Sequence, residues 1–244
     1  MKYITSGRPN PRCSANILVI QDMHTFPSLL YRGGKFPCVP CVAPYIPPIL
    51  LGRATSGGDS GAHSTFTVGF GSASAIGTWI VAIAYSTSGT LSISGGSNPW
   101  TLLGGVGSQS KFWAHFVTSG EPATYTVTFN GAAKADGATI TMLEILKGNA
   151  SNPDNYATAT STAACPSVTS SAATDIVVTG LVNASGVIPS PPSGYTVQAS
   201  GTSGSLLAPC GSVLAASVGV GVGSISPGSW SAVGALVGSA SFKV

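Results

Sequence analysis

Ionic charge is scarce in this sequence. Lys, Arg, Asp and Glu make up 7% of its 244 residues, against about 25% in an ordinary soluble domain. Glutamate occurs only at positions 121 and 144, and histidine only at 24, 63 and 115. Acid/base catalysis needs ionisable groups set against one another at defined spacing, and no local motif supplies such a set. Long apolar runs are missing too. The stretch "ANILVI" near the N-terminus is too short for a secretory core or a membrane span, so the expectation is a chain made in a cytosol, with no membrane partner. The five cysteines are odd in number and allow at most two disulfides, and a cytosolic origin makes free thiols the default.

Gly, Ser, Thr and Ala dominate instead, so the polar surface must consist of hydroxyls and backbone rather than ions. Such a surface repels its neighbours weakly. Combined with the exposed edges of an all-β chain, it favours burial against copies of itself or other subunits.

Charge and proline are unevenly placed. Residues 1–58 carry Lys2, Arg8, Arg12, Arg32, Lys35 and Arg53 against Asp22 alone, and nearly half of the 17 prolines fall before residue 50. Proline fixes φ and removes a donor, so "KFPCVPCVAPYIPPILL" reads as an extended arm whose apolar side chains should dock on a partner. Residues 1–59 are expected to form this arm and its hinge, "GRATSGGDSGAHS". The partner-binding residues would be Arg8, Arg12, Arg32, Lys35, Tyr45, Ile46, Ile49, Leu50, Leu51 and Arg53. The cations are scattered and the nearby rings Tyr31, Phe36 and Tyr45 form no stacking module, which argues against nucleic acid.

From residue 64 the apolar pattern has period two between Gly, Ser, Pro and Asn turns, and no stretch carries a helical stripe. The expected fold is all-β, an antiparallel two-sheet, jelly-roll-like sandwich over residues 60–244 as a single domain. About eleven strands are anticipated. In "ATYTVTF", Tyr125, Val127 and Phe129 share a dry face. In "KFWAHFVT" both faces carry apolar residues, so this strand should be covered on both sides. The second half contains few large side chains and no exact repeat of the first.

Individual residues offer little chemistry. In "SGEPATYTVTF" Glu121 sits in turn chemistry between Gly120 and Pro122, and Glu144 and Asp136 make no motif with it. "GGDSGA" around Ser60 looks like a protease nucleophile segment, but no suitable His and Asp precede it. "CVPC" at Cys38 and Cys41 has zinc-ligand spacing, with Cys13 or His24 able to complete a tetrahedron, but a second pair is missing. Cys165 and Cys210 could approach each other. His115 reads as a packed or interface histidine. "VGVGVG" and "RGGKF" lack nucleotide-loop spacing. No catalytic residue, cofactor or metal is assigned.

The succession "IGTWIVAIAYS", "NPWTLLGG", "KFWAHFVTSGEPATYTVTF" and "ATITMLEILKG" with "NPDN" resembles a β-sandwich domain of structural proteins in tailed bacteriophages. The resemblance covers about three quarters of the chain. It implies a noncatalytic virion component, such as a capsid decoration, head fibre or tail protein, made in the host cytoplasm. Its partners would be other capsid or tail subunits and copies of itself. The alternative is an adhesin for a host-surface glycan, in which an exposed Trp79, Trp100, Trp113 or Trp230 stacks on sugars.

Overall fold

A computed structural model describes residues 51–59, 63–129, 137–146, 153–203 and 209–244, all within one compact unit. Arg8, Arg12, Arg32, Lys35, Tyr45, Ile46, Ile49 and Leu50 lie outside the described residues, as do Cys13, His24, Cys38, Cys41, Ser60 and Asp136.

The described chain is all-β, without a helix. Its N-terminal half runs through β1 (Leu51–Asp59), β2 (Thr65–Gly69), β3 (Trp79–Ser86), β4 (Ser92–Ser94), β5 (Thr101–Val106), β6 (Ser110–Phe116), β7 (Thr124–Thr128) and β8 (Ala138–Ile145). The C-terminal half follows as β9 (Asn155–Ala164), β10 (Val168–Ser170), β11 (Ile176–Asn183), β12 (Thr196–Thr202), β13 (Gly211–Val218), β14 (Gly223–Ile225) and β15 (Ser229–Phe242). Every ladder is antiparallel.

Two five-stranded sheets, β1-β8-β3-β6-β5 and β12-β13-β11-β15-β9, pack face to face as the sandwich. A three-stranded sheet, β2-β7-β4, covers the outer face of the first, and β10 pairs with β14 in a separate ribbon. The central strand β3 is mostly apolar because both of its faces are covered. Trp79, Val81 and Ile83 enter the core between the large sheets, whereas Ile80, Ala82 and Ala84 enter the core under β2-β7-β4. "KFWAHFVT" is likewise covered on both sides, with Phe112 and Ala114 in one core and Trp113 and Val117 in the other. Tyr125, Val127 and Phe129 form the dry face of "ATYTVTF".

The two halves share one topology. Reading β9, β10, β11, β12, β13, β14 and β15 as counterparts of β1, β2, β3, β5, β6, β7 and β8 reproduces both the large-sheet order and the β2-β7 pairing. Even an irregularity repeats: β5 skips Leu103 against β6, and β12 skips Gln198 against β13. Strand β4 alone has no counterpart. The cross-sheet approaches repeat as well. Gly104 of β5 faces Thr158 of β9, and Gly201 of β12 faces Ser56 of β1; an added Cβ would come within 2.5 Å and 2.8 Å of these side chains. The halves therefore meet as two copies do across a two-fold axis. Sequence pattern alone does not reveal this repeat, because the matching positions differ in size and polarity.

The expected hinge requires correction. Residues 51–59 form the ladder β1·β8, in which Asp59 opposes Ala138 and Ala54 opposes Leu143. Strand β1 belongs to the sandwich, which starts before residue 60. Gly52, Gly57 and Gly58 serve close packing there rather than flexibility, since added Cβ atoms would meet Glu144, Val68 and the Ala138 carbonyl at 2.9, 3.2 and 2.8 Å. Leu51 packs against the main core.

Candidate functional site

The chemistry-bearing residues of the N-terminal half gather on the β2-β7-β4 side of the first large sheet. Alternation along β6 sends Trp113 and His115 to this side, and Tyr125 comes to meet them from β7. Glu121, four residues before Tyr125, is buried with its side chain fully covered. Its Oε1 accepts the Tyr125 hydroxyl at 2.9 Å, and its Oε2 accepts the Ser97 N–H at 2.9 Å. His115 Nε2 lies 2.9 Å from Oε1 in a close polar contact without hydrogen-bond alignment, and its Nδ1 has no partner among the described residues. Burial alone would raise the Glu121 carboxyl. The Ser97 amide and hydroxyl and the adjacent His115 outweigh it and hold the group below the usual carboxylate value. Burial, then Glu121, push the Tyr125 phenol well up, so it stays a donor.

A second carboxylate sits nearby. Glu144 of β8 receives a bidentate fork from Arg53, Nε to Oε2 at 2.7 Å and Nη2 to Oε1 at 2.6 Å, together with the Arg53 backbone N–H at 3.0 Å. Ser74 also donates to Glu144. Burial works to raise this carboxyl too, but Arg53 and then Ser74 keep it low. Arg53 further donates to the Phe70, Ser72 and Ala73 carbonyls, so it staples β1 and β8 to the chain after β2. Ser74 and Glu144 also act on the Tyr125 phenol. The result is two adjoining polar groups, Arg53–Glu144–Ser74 and Tyr125–Glu121–His115. Arg53, expected to bind a partner, forms an ion pair with Glu144 within the sandwich.

Beside the Tyr125–Glu121–His115 group lies a cleft of about 710 Å³. Its walls are β4, the Gly95–Trp100 turn, Leu102, Lys111 and Trp113. Trp100 stacks on His115, with ring centres 5.0 Å apart and planes at 27°, meets Tyr125 edge-on, and donates its indole N–H to the Gly95 carbonyl at 3.0 Å. Asn98 donates to the Phe116 carbonyl and to Thr118 Oγ1, and the Thr118 N–H returns to Ser97 Oγ. Gly96 separates cleft from network. Its φ is 106°, and a Cβ there would fall 2.9 Å from His115 and 3.0 Å from Glu121; side chains are excluded both by conformation and by space.

Both glutamates are buried and held below the usual carboxylate value, and neither lines the cleft. No group of three or more His, Cys, Asp or Glu that could hold a metal occurs among the described residues. Cys165 and Cys210 are buried and free, and Cys165 contacts Thr179 instead. The asparagine of "NAS" at 183 is buried, with its amide on the Val187 carbonyl. Trp79, Trp113 and Trp230 are core residues, so only Trp100 keeps the accessibility that a stacking platform needs.

Sequence reasoning placed Glu121 in a turn and His115 in a packed strand without joining them. The available signal was that the dry faces of "KFWAHFVT" and "ATYTVTF" each carry a polar group, which burial obliges to find a partner. Comparison with protein-family models, with curated proteins and with solved structures finds no match, so the geometry above carries the functional reading.

Proposed function

We propose that this protein is a noncatalytic structural component of an assembled particle. The tailed-phage virion is the setting implied by the resemblance of its strand motifs, and capsid or tail subunits and further copies of the chain are its partners. One observation carries the reading. The outer strands β5, β9 and β12 contain no charged residue and no proline, and each forms the rim of a five-stranded sheet. Monomeric proteins blunt such rims with charge, proline or cover, because unpaired strand groups template association. Strand β9 spans ten residues of Asn, Tyr, Ala, Thr and Ser, long enough to pair with a neighbour. That both glutamates are engaged in contacts within the fold favours this reading over a hydrolase.

The basic, proline-rich residues before Leu51 supply the attachment in this reading, and the sandwich projects or decorates. Mass spectrometry and immunogold labelling of purified particles test it. The chain should appear at a fixed number of copies per particle, and a chain lacking residues 1–50 should fold but stay off the particle. A chain absent from purified particles would overturn the proposal.

A further inference from the structure

We propose that the cleft between β4, the Gly95–Trp100 turn and Lys111 is a binding site for a neutral saccharide. This inference stands on its own geometry and does not rest on the particle reading.

The repeated topology provides an internal control. Position by position along the ladders, Ile80 opposes His115 and Glu144, whereas its counterpart Val177 opposes Ser217 and Ser241. Ala82 opposes Trp113, and its counterpart Thr179 opposes Ala215. Lys111 corresponds in the same way to Val213, and strand β4 corresponds to nothing. The same strand order thus stands in the C-terminal half without the network. Burying a carboxylate against histidine and tyrosine has a desolvation cost, and the fold does not require it. What the network does in the N-terminal half is specific: Glu121 holds Ser97, His115 holds Trp100, and Trp100 holds Gly95. All three contacts fix one turn, and that turn is a wall of the cleft. A buried polar network is how a binding wall is kept in position.

The lining identifies the ligand class. It contains no carboxylate, so a cation finds no counter-charge. Its only ion is Lys111, whose ammonium donates to the Gly107 carbonyl at 2.9 Å, which leaves a phosphate or nucleotide without the multiple donors such groups need. Instead the wall offers hydroxyls beside apolar surface. Thr90 and Ser92 are exposed there, and Trp100 and the exposed Leu102 lie alongside them. Uncharged hydroxyls interleaved with an indole match the two surfaces of a sugar ring, its hydroxyl rim and its C–H face.

The test is a glycan array probed with the full chain, followed by titration of the hits through tryptophan fluorescence. Expected is saturable binding to neutral glycans, competed by the free sugar. The double variant Thr90→Val, Ser92→Ala leaves the network untouched and should weaken binding about tenfold, the worth of roughly one lost hydrogen bond, with unchanged Tm. Trp100→Ala should abolish binding, and its far-ultraviolet circular dichroism separates loss of the site from loss of the fold. Three results would overturn the proposal: no neutral glycan bound at millimolar concentration, binding restricted to acidic sugars, or binding indifferent to the double variant.

Discussion

Replacing Glu121 tests whether the buried network is structural. Alanine would leave the Ser97 N–H and the Tyr125 hydroxyl without their acceptor, and each buried orphan costs about 1–3 kcal/mol. The sum, about 2–6 kcal/mol, corresponds to a Tm fall of roughly 5–20 °C for a chain of this size. Glutamine should do less. Its carbonyl can keep the Ser97 N–H while its NH₂ faces Tyr125 and His115, both able to accept, so the loss is that of charge assistance, about 1–2 kcal/mol. Thermal unfolding of wild type, Glu121→Gln and Glu121→Ala at neutral pH, read by near-ultraviolet circular dichroism, gives the comparison. The expected order of stability is wild type, Gln, Ala. Glutamine as damaging as alanine, or alanine within about 1 °C of wild type, would refute the reasoning, and the network would then need another role.

The pH dependence follows from the same residues. Both glutamates have folded-state values lowered from 4.5, so their contribution is full above about pH 4.5 and is lost as pH falls through the folded values; acid titration of Tm should be flat near neutrality and steep below about pH 4.5, and less steep in Glu121→Gln. Gly96→Ala should destabilise by about 1–3 kcal/mol through its left-handed backbone and the contact with His115, with a shift in Trp100 fluorescence as the turn loosens. Gly238→Val should cost about 1–3 kcal/mol or more, because a Cβ there meets the Phe112 ring at 2.7 Å; a change in Tm within about 1 °C would show that the large sheets can slide apart freely. Deleting residues 1–50 should leave a soluble folded protein, whereas deleting 1–59 removes β1 and orphans Glu144, so that the longer deletion should aggregate on expression.

How much of this was legible in the sequence depends on range. Period-two alternation correctly exposed the all-β class, the double cover of β6 and the dry face of β7, because those properties belong to single strands. The segment 51–59 misled because "GRATSGGD" has the composition of a linker. Its glycines answer close neighbours contributed by β8 and β2, up to ninety residues away in the chain, which local composition cannot report. The Arg53–Glu144 pairing was illegible for the same reason, because it exists only once β1 lies against β8.

The weakness of the C-terminal half as an isolated sequence acquires a physical explanation from the repeat. Its inner face presents Gly180 and Gly238 where the opposing sheet presents Ile83 and Phe112; added Cβ atoms would lie 2.9 Å and 2.7 Å from those side chains. Phe242 meets Trp79 with ring centres 5.5 Å apart. The large residues of one sheet therefore fill the space left by the small residues of the other, and the main core belongs to both halves at once. Two equal copies across a two-fold axis would have to match each other at every position, whereas two linked copies can diverge into a bulky face and a receptive one. Division of labour extends from packing to chemistry. The half that contributes Trp79 and Phe112 to the shared core also carries both glutamates, the Arg53–Glu144 ion pair and the Trp100 cleft, while the half built of Ala, Ser, Val and Gly supplies a face shaped to receive it. Low aromatic content in the second half is thus a property of an interlocking partner, and neither half would retain this core if the chain were divided between β8 and β9.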